Sequence, residues 1–367
     1  MAYFRKRSNS WEYRIKYTES GKQKTLSKSG FKTKMEAKKA ATLIEEKLFK
    51  GGISAVKRGD ILFEDWLEKY IEIKNVHRRE SSNVSARNGQ EKLLQQYKGY
   101  KLNQIKRTDY QIFINDLLFV KGYSKNTVSR IHGEMMGILN SAVENDELDR
   151  NILSGVEIKK EEKEKVVYLR KEEVKQLLEA IQEEKIFKRV MVSILLRTGL
   201  RSGELLGLTW SHLDLDKGFL TVDQQRLRNG LGPPKTKNAY RTIAIDETLR
   251  NELREYKCWQ EENQKANPHY IESEYVMVDE SGKPFYHTKP QDLMINLLRK
   301  AKLNERKSAH LLRHTHAVML LEAGVDIKTV SERLGHSDIQ MTGNTYLHIS
   351  ENHERKSVDL FDSYLKK

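Results

Sequence analysis

A single cysteine, Cys258, stands in 367 residues. No disulfide can form within the chain, and a reducing compartment suits it. No apolar run reaches the roughly 18 residues of a membrane span, and the opening "MAYFRKRSNSW" lacks the apolar core of a secretory signal. The expectation is a soluble, cytoplasmic protein. No repeat at periods of about 20–50 residues points to a solenoid or propeller. Acidic charge is also in deficit: 66 Lys and Arg outnumber 52 Asp and Glu, for a net charge of +14. Such a balance implies a polyanionic partner. The length exceeds one ordinary core, so two or three domains are expected.

The excess charge is concentrated at one end. Residues 1–57 hold 15 Lys and Arg against 5 Asp and Glu, a surplus of ten. A solvated basic tail is the bland account, but this charge is interleaved with structure. In "WEYRIKY", Trp11, Tyr13, Ile15 and Tyr17 alternate with Glu12, Arg14 and Lys16, the period of a half-buried strand. "TESGK" turns the chain at Gly21, and "QKTLSKSGF" reads as a second strand with a third to follow. Thr33 to Glu36 fits a capping box opening a helix to about Phe49, which Gly51 and Gly52 stop. A small basic sheet backed by one helix can enter a DNA major groove. Its side chains expected to meet DNA are Arg14, Lys16, Lys22, Lys24 and Lys28.

From Ile61 to about Ile158 the pattern is helical. Phe63, Trp66, Leu67, Tyr70 and Ile71 share one face. Thr108 reads as the cap of a helix that Gly122 ends, and Ser124 precedes another with Val128, Ile131, Met135, Leu139 and Ala142 at core spacing. Lys125 and Arg130 are the candidate DNA contacts here. The charged run "EIKKEEKEK" follows as a linker. Four segments result: 1–57, 58–156, a linker at 157–165, and 166–367. The last mixes helices, among them "RVMVSILLRTGL" ending at Gly199, with "GFLTVDQQ" and "RTIAI", which read as a β-hairpin.

In this last segment, certain polar residues sit at element ends. Arg201 and Glu204 follow Gly199, Lys235 lies in the hairpin loop, and His310 and Arg313 share a helix face at i,i+3. His336 follows Gly335, and Tyr346 comes ten residues later. Singly, each has an ordinary surface explanation. Together they supply two guanidiniums, two imidazoles, a lysine and a phenol. Two arginine forks can hold a phosphodiester and stabilise its pentacoordinate transition state. A tyrosine can attack phosphorus and form a covalent ester, and a lysine or imidazole can protonate the leaving 5′ oxygen. No metal or other cofactor is required for that chemistry.

These motifs, "TGLRSGELLGLTW", "PKTKNAYRTI", "HLLRH", "LGH" and "TGNTYLH", resemble the catalytic domain of the tyrosine recombinases, the phage integrase family. "GYSKNTVSRIHGEMMGILNSAVENDELDRN" resembles that family's core-type DNA-binding domain. "WEYRIKYTESGKQKTLSKSGFKTKMEAKKAA" is similar to the arm-type domain of mobile-element integrases. The resemblance implies a multidomain, mainly α fold with small β-sheets. It comprises an N-terminal three-stranded sheet plus helix, a helical core-binding bundle and a mixed α+β catalytic domain. It implies Tyr346 as the nucleophile of a 3′-phosphotyrosyl intermediate, and Arg201 and Arg313 as phosphate clamps. Lys235 would be the general acid, with His310 assisting proton transfer, His336 bonding the phosphate and Glu204 orienting Arg201. Double-stranded attachment sites of core and arm type, a homotetrameric synapse, an excisionase and a host DNA-bending protein would be the partners. The setting would be the bacterial cytoplasm, at the nucleoid.

Other readings are weaker. His310, His314 and His316 lack the glutamate and cysteine pattern of a zinc site, and His314 and His316 suit packing or hydrogen bonding. A DNA-binding protein retaining the fold would have lost an arginine or the tyrosine. The arm-like residues 1–57 argue against a type IB topoisomerase and against a chromosome-dimer-resolving recombinase, which typically lacks such a domain. Deleting residues 1–57 should leave core-site binding and cleavage, end integration, and flatten the salt dependence of binding to full attachment DNA, because fewer counterions are released. Titrations over a salt series measure that slope; an unchanged slope contradicts the arm reading.

Overall fold

The computed structural model describes residues 2–19, 21–75, 80–160, 168–234, 236–303, 310–336, 338–340, 343, 358, 361–362 and 364–366. It divides into two compact units, Met1–Lys163 and Glu164–Lys367.

In the first unit, "WEYRIKY" forms part of the middle strand of an antiparallel meander. The strands are β1 (Tyr3–Arg7), β2 (Ser10–Glu19) and β3 (Lys22–Phe31), in that spatial order. Register places Tyr13 opposite Phe4 and Ile15 opposite Leu26. These side chains cluster with Ala41 and Ile44 of α1 (Lys34–Lys57). Glu12 belongs to the opposite face by alternation, yet it is buried. Arg7 and Arg14 cover it, each donating a hydrogen bond, at 2.8 and 3.1 Å.

Thr33 caps α1, its Oγ1 accepting from the Glu36 amide at 3.1 Å; Glu36 in turn reaches back to the Lys32 amide at 3.0 Å. The glycine pair does not stop this helix. Gly51 (φ −153°) and Gly52 (φ 64°) make a kink, after which the helix resumes to Lys57 and buries Ala55. A break of two residues is tolerated because packing beyond it continues.

The rest of this unit is helical: α2 (Phe63–Asn75), α3 (Glu80–Tyr97), α4 (Arg107–Asn115) and α5 (Lys125–Glu144), with a π-helical turn extending α4 through Val120. Phe63, Trp66, Leu67 and Tyr70 join Val128, Ile131, Met135, Leu139 and Ala142 in one buried cluster, with Ile71 partly covered. Ser124 caps α5 by accepting from the Thr127 amide at 3.2 Å. Thr108, by contrast, lies inside the first turn of α4, whose cap is Lys106.

In the second unit, α6 (Lys171–Ile181), α7 (Ile186–Thr198) and α8 (Ser202–Gly207) precede five short strands. These are β4 (Leu213–Asp214), β5 (Phe219–Val222), β6 (Gln225–Leu227), β7 (Gly230–Gly232) and β8 (Arg241–Ala244). "GFLTVDQQ" and "RTIAI" do pair, through β5 and β8, with Leu220 opposite Ile243. They are not one simple hairpin, because β6 and β7 form a second hairpin in the connection and β4 pairs with the far edge of β5.

Helices α9 (Glu247–Ala266), α10 (Lys289–Lys300), α11 (His310–Glu322) and α12 (Ile327–Leu334) follow. α9 has no counterpart in the sequence reading. It is very polar and buries only a narrow line of Leu249, Leu253, Tyr256 and Gln260. Val190, Ile194, Leu253, Leu297 and Leu312 share the main apolar cluster of this unit.

The molecule is therefore mainly helical with small antiparallel sheets, as the resemblance implied. Among the described residues no helix is long and apolar enough to cross a membrane. Trp66 anchors α2 to α5, its buried Nε1 donating to the Ile138 carbonyl at 3.0 Å. Trp66→Phe should cost about 1–3 kcal/mol by losing this bond and leaving a void. The urea midpoint measures it, and an unchanged midpoint contradicts the packing account.

Candidate active site

Two helices stop at glycines that lie side by side. α7 ends at Gly199 (φ 68°) and α12 at Gly335 (φ 69°), both left-handed. That conformation alone favours glycine, and the surroundings exclude a larger residue. A Cβ on Gly199 would fall 2.6 Å from Leu334 and 2.7 Å from His316. One on Gly335 would fall 2.9 Å from the Asn238 carbonyl oxygen and 3.1 Å from Arg241.

A helix C-terminus leaves carbonyls without partners and carries partial negative charge. Here arginines meet them. Arg313 of α11 is buried at 4% exposure and donates to the Gly199 and Leu334 carbonyls, both at 2.7 Å. Arg201 precedes α8 and places Nη2 3.4 Å from the Gly335 carbonyl. Arg241 of β8 donates through Nε to the Arg333 carbonyl at 2.7 Å. Arg333 itself donates to the Arg197 carbonyl at 3.2 Å and to His316 Nε2 at 3.1 Å. His316 therefore accepts at Nε2, which assigns its proton to Nδ1, donated to the Leu196 carbonyl at 2.8 Å.

Glu204 is the carboxylate at the centre of these cations. It is buried, and its Oε1 lies 2.7 Å from Arg201 Nη1 and 3.3 Å from Arg241 Nη1. Its Oε2 accepts from the Arg201 amide and from Arg241 Nη2, both at 2.9 Å. Burial alone would raise its pKa, but the hydrogen bond and charge of Arg241, with those of Arg201, hold it below the ordinary value. Arg201, Arg241 and Arg313 surround one carboxylate, so the site carries positive charge in need of an anion.

That charge tunes the neighbouring imidazoles. Burial, then Arg313 and Arg201, push His336 down to about 4. His310 stands at the solvent edge, and burial of its surroundings with Arg313, His314 and Arg201 lowers it too, against an opposing pull from Glu204. His314 is lowered by burial and Arg313. Burial and Arg201 bring Arg313 to about 9, still cationic at neutral pH. A neutral imidazole beside guanidiniums can accept a proton or donate its N–H to an anion's oxygen. An entering phosphate would raise these pKa values by offsetting the cations.

The structure brings Arg201, Glu204, His310, Arg313 and His336 to one place. Lys235 and Tyr346 lie outside the described residues. The loop that follows Lys235 is held at the site: Asn238 donates to the His336 carbonyl at 3.3 Å, and Ala239 is buried beneath it. Gly343, Ile339 and Gln340 are helical. Arg241 and Arg333 were not singled out in the sequence. A signal for Arg241 existed, since it shares the buried face of β8 with Ile243, an unusual place for an arginine.

The DNA-contact candidates divide. Arg14 and Lys16 lie on the open face of the N-terminal sheet, with Arg14 also bonded to Glu12. Lys22 and Lys28 are exposed, whereas Lys24 is paired with Glu19 at 2.5 Å. Lys125 and Arg130 are exposed at the start of α5. Among the described residues no three His, Cys, Asp or Glu side chains form a metal-binding group.

Residues 167–353 match the model of the phage integrase family, and residues 1–48 match an arm DNA-binding domain. The chain belongs to the phage integrase family. It is a tyrosine recombinase, an enzyme that cuts and rejoins DNA strands. A tyrosine recombinase XerC-like protein of Caldanaerobacter subterraneus subsp. tengcongensis is 32% identical, covering 71% of this chain and 72% of its own. The integrase of Staphylococcus phage L54a is 27% identical, covering 80% of this chain and 90% of its own. The fold is similar to the Tn1549 transposon integrase in complex with transposon right-end DNA, at a TM-score of 0.69 and 22% identity, covering 82% of this chain and 99% of that one.

The recombinase should lose stability in mild acid. Burial and Arg333 bring His316 down to about 4. A histidine lowered by folding contributes its full stability above its unfolded pKa, and loses it as pH falls from about 6.5 toward the folded value. At pH 5 this single group should cost about 2 kcal/mol. His316→Gln, which keeps a donor and an acceptor, should flatten the dependence of the urea midpoint between pH 7 and 5. The same slope in parent and variant would contradict it.

Proposed function

We propose that this chain is the integrase of a phage or conjugative transposon, joining and releasing its element at specific attachment sites. The single observation that supports it best is the arginine cluster at the ends of α7 and α12, with Arg201 and Arg313 in one positively charged site. In this reading the two guanidiniums hold the nonbridging oxygens of the scissile phosphodiester. The Tyr346 hydroxyl attacks phosphorus, forming a 3′-phosphotyrosyl bond while the bond to the 5′ oxygen breaks. Lys235 gives that oxygen its proton, His310 assists proton transfer, and His336 donates its N–H to a phosphate oxygen. Glu204 orients Arg201. Attack by the 5′ hydroxyl of a second strand on the phosphotyrosine then joins the new ends and restores Tyr346. The phosphodiester energy is kept in the intermediate, so no nucleotide cofactor is consumed.

Residues 1–57 serve as the arm-type domain, 58–156 as the core-type domain, 157–165 as linker and 166–367 as the catalytic domain. Arg14 and Lys16 on the open sheet face suit the arm site, and Lys125 and Arg130 suit the core site. Four copies act in a synapse on two DNA sites in the cytoplasm, with an excisionase and a DNA-bending protein setting direction. The exposure of Val358, Phe361, Tyr364 and Leu365, each above 60%, supports a C-terminal segment that docks on a neighbouring copy.

Tyr346→Phe should abolish the covalent protein–DNA adduct on a nicked suicide substrate while leaving site-specific binding intact. Arg201→Ala and Arg313→Ala should each slow cleavage by about a hundredfold or more with a smaller effect on binding, since their contacts strengthen as charge develops. Cleavage should survive EDTA. An adduct formed by Tyr346→Phe would overturn the assignment.

A further inference from the structure

The reaction described above gives no part to Arg241, although it makes more hydrogen bonds at the site than Arg201. We propose that Arg241 is a positioning residue whose charge satisfies Glu204 and so leaves Arg201 able to offer its own charge to the phosphate. The proposal rests on reading Arg201 as a phosphate clamp.

Two guanidiniums share this carboxylate, Arg241 with two bonds and Arg201 with one. Oε1 accepts from the Arg201 and Arg241 guanidiniums at 2.7 and 3.3 Å, and Oε2 from the Arg201 main-chain amide and the Arg241 guanidinium, both at 2.9 Å. Their exposures differ in a way that separates their tasks. The Arg201 side chain is 24% exposed and can meet a ligand, whereas that of Arg241 is 6% exposed and Glu204 lies beneath both at 2%.

Arg241 is also anchored by main chain on two sides. It donates to the Arg333 carbonyl at the end of α12 at 2.7 Å, and to Ala239 in the loop after Lys235 at 2.9 Å. Its guanidinium is therefore fixed before any DNA arrives.

Charge decides the role. A buried carboxylate paired with Arg201 alone would form a neutral pair and draw that arginine inward. With Arg241 present the three groups retain one net positive charge, and the exposed member is Arg201. Losing Arg241 should thus weaken transition-state stabilisation without removing any group that touches DNA.

The test uses the full chain with a suicide substrate. Arg241→Gln should slow adduct formation at saturating DNA by about a hundredfold, the scale of a displaced catalytic group, with DNA affinity unchanged. Adding Glu204→Gln removes the carboxylate that now engages Arg201, so the double variant should regain about tenfold over Arg241→Gln. A residue that served only to pack the site would make the double variant equal to or slower than Arg241→Gln, and that result overturns the proposal.

Arg241→Lys keeps the charge but not the fork. It should fold, and cleave within about tenfold of the parent, because one charge still faces Glu204. A folded Arg241→Lys protein slowed a hundredfold also overturns the proposal, including in the case where Arg241→Gln does not fold. A parent that forms its adduct at Tyr346 while the Arg241 variants match it refutes this inference alone. An adduct that does not depend on Tyr346 refutes the reading beneath it.

Discussion

The bonds from guanidiniums to the terminal carbonyls of α7 and α12 fix the second unit's polar centre. Helix ends of this polarity repel an anion, so on their own they would make a poor place for a phosphate. Arg313 reverses that sign and joins both ends with one side chain. Arg241 ties β8 and its preceding loop to the same end of α12. Glu204 limits the repulsion among the cations, and Gly199 and Gly335 let the two chain turns come close enough for one arginine to span them. Remove any of these and the others lose their reason for being where they are.

The centre is built from opposing effects of comparable size. Burial disfavours every charge in it, lowering Arg313 and the nearby imidazoles. The carboxylate moves the other way, because two arginines outweigh its burial. The result is a site whose histidines are neutral while Arg313 remains charged at neutral pH. That division suits phosphoryl transfer, in which guanidiniums hold charge while other groups exchange protons.

Much of this was legible in the residue order, and the failures have physical causes. Helix α7, its glycine stop and the Arg201–Glu204 spacing could be read because local geometry dictates them. The pairing of β5 with β8 was legible as a hairpin, but the inserted β6–β7 hairpin was not, since its strands have three residues each and β7 is Gly-Leu-Gly. α9 was missed because its buried line is too narrow to show among so many polar residues. Gly51 and Gly52 promised a stop and delivered a kink, because packing beyond them outweighed local preference. Arg241 was overlooked because arginine is normally a surface residue. Its carboxylate partner is distant in sequence, and only the fold brings the two together.

The arginine anchors have a consequence for how this molecule can change. Besides their side-chain partners, Arg313, Arg241 and Arg333 hold the peptide oxygens of Gly199, Leu334, Arg333 and Arg197. A peptide oxygen is the same whatever residue bears it. Substitutions at Arg197 or Leu334 can alter packing, yet they leave the acceptor in place as long as the helix ends there. The constraint therefore falls on a few arginines and on the two turns, and little on the intervening residues. Such a centre can pass through extensive sequence drift with its chemistry intact.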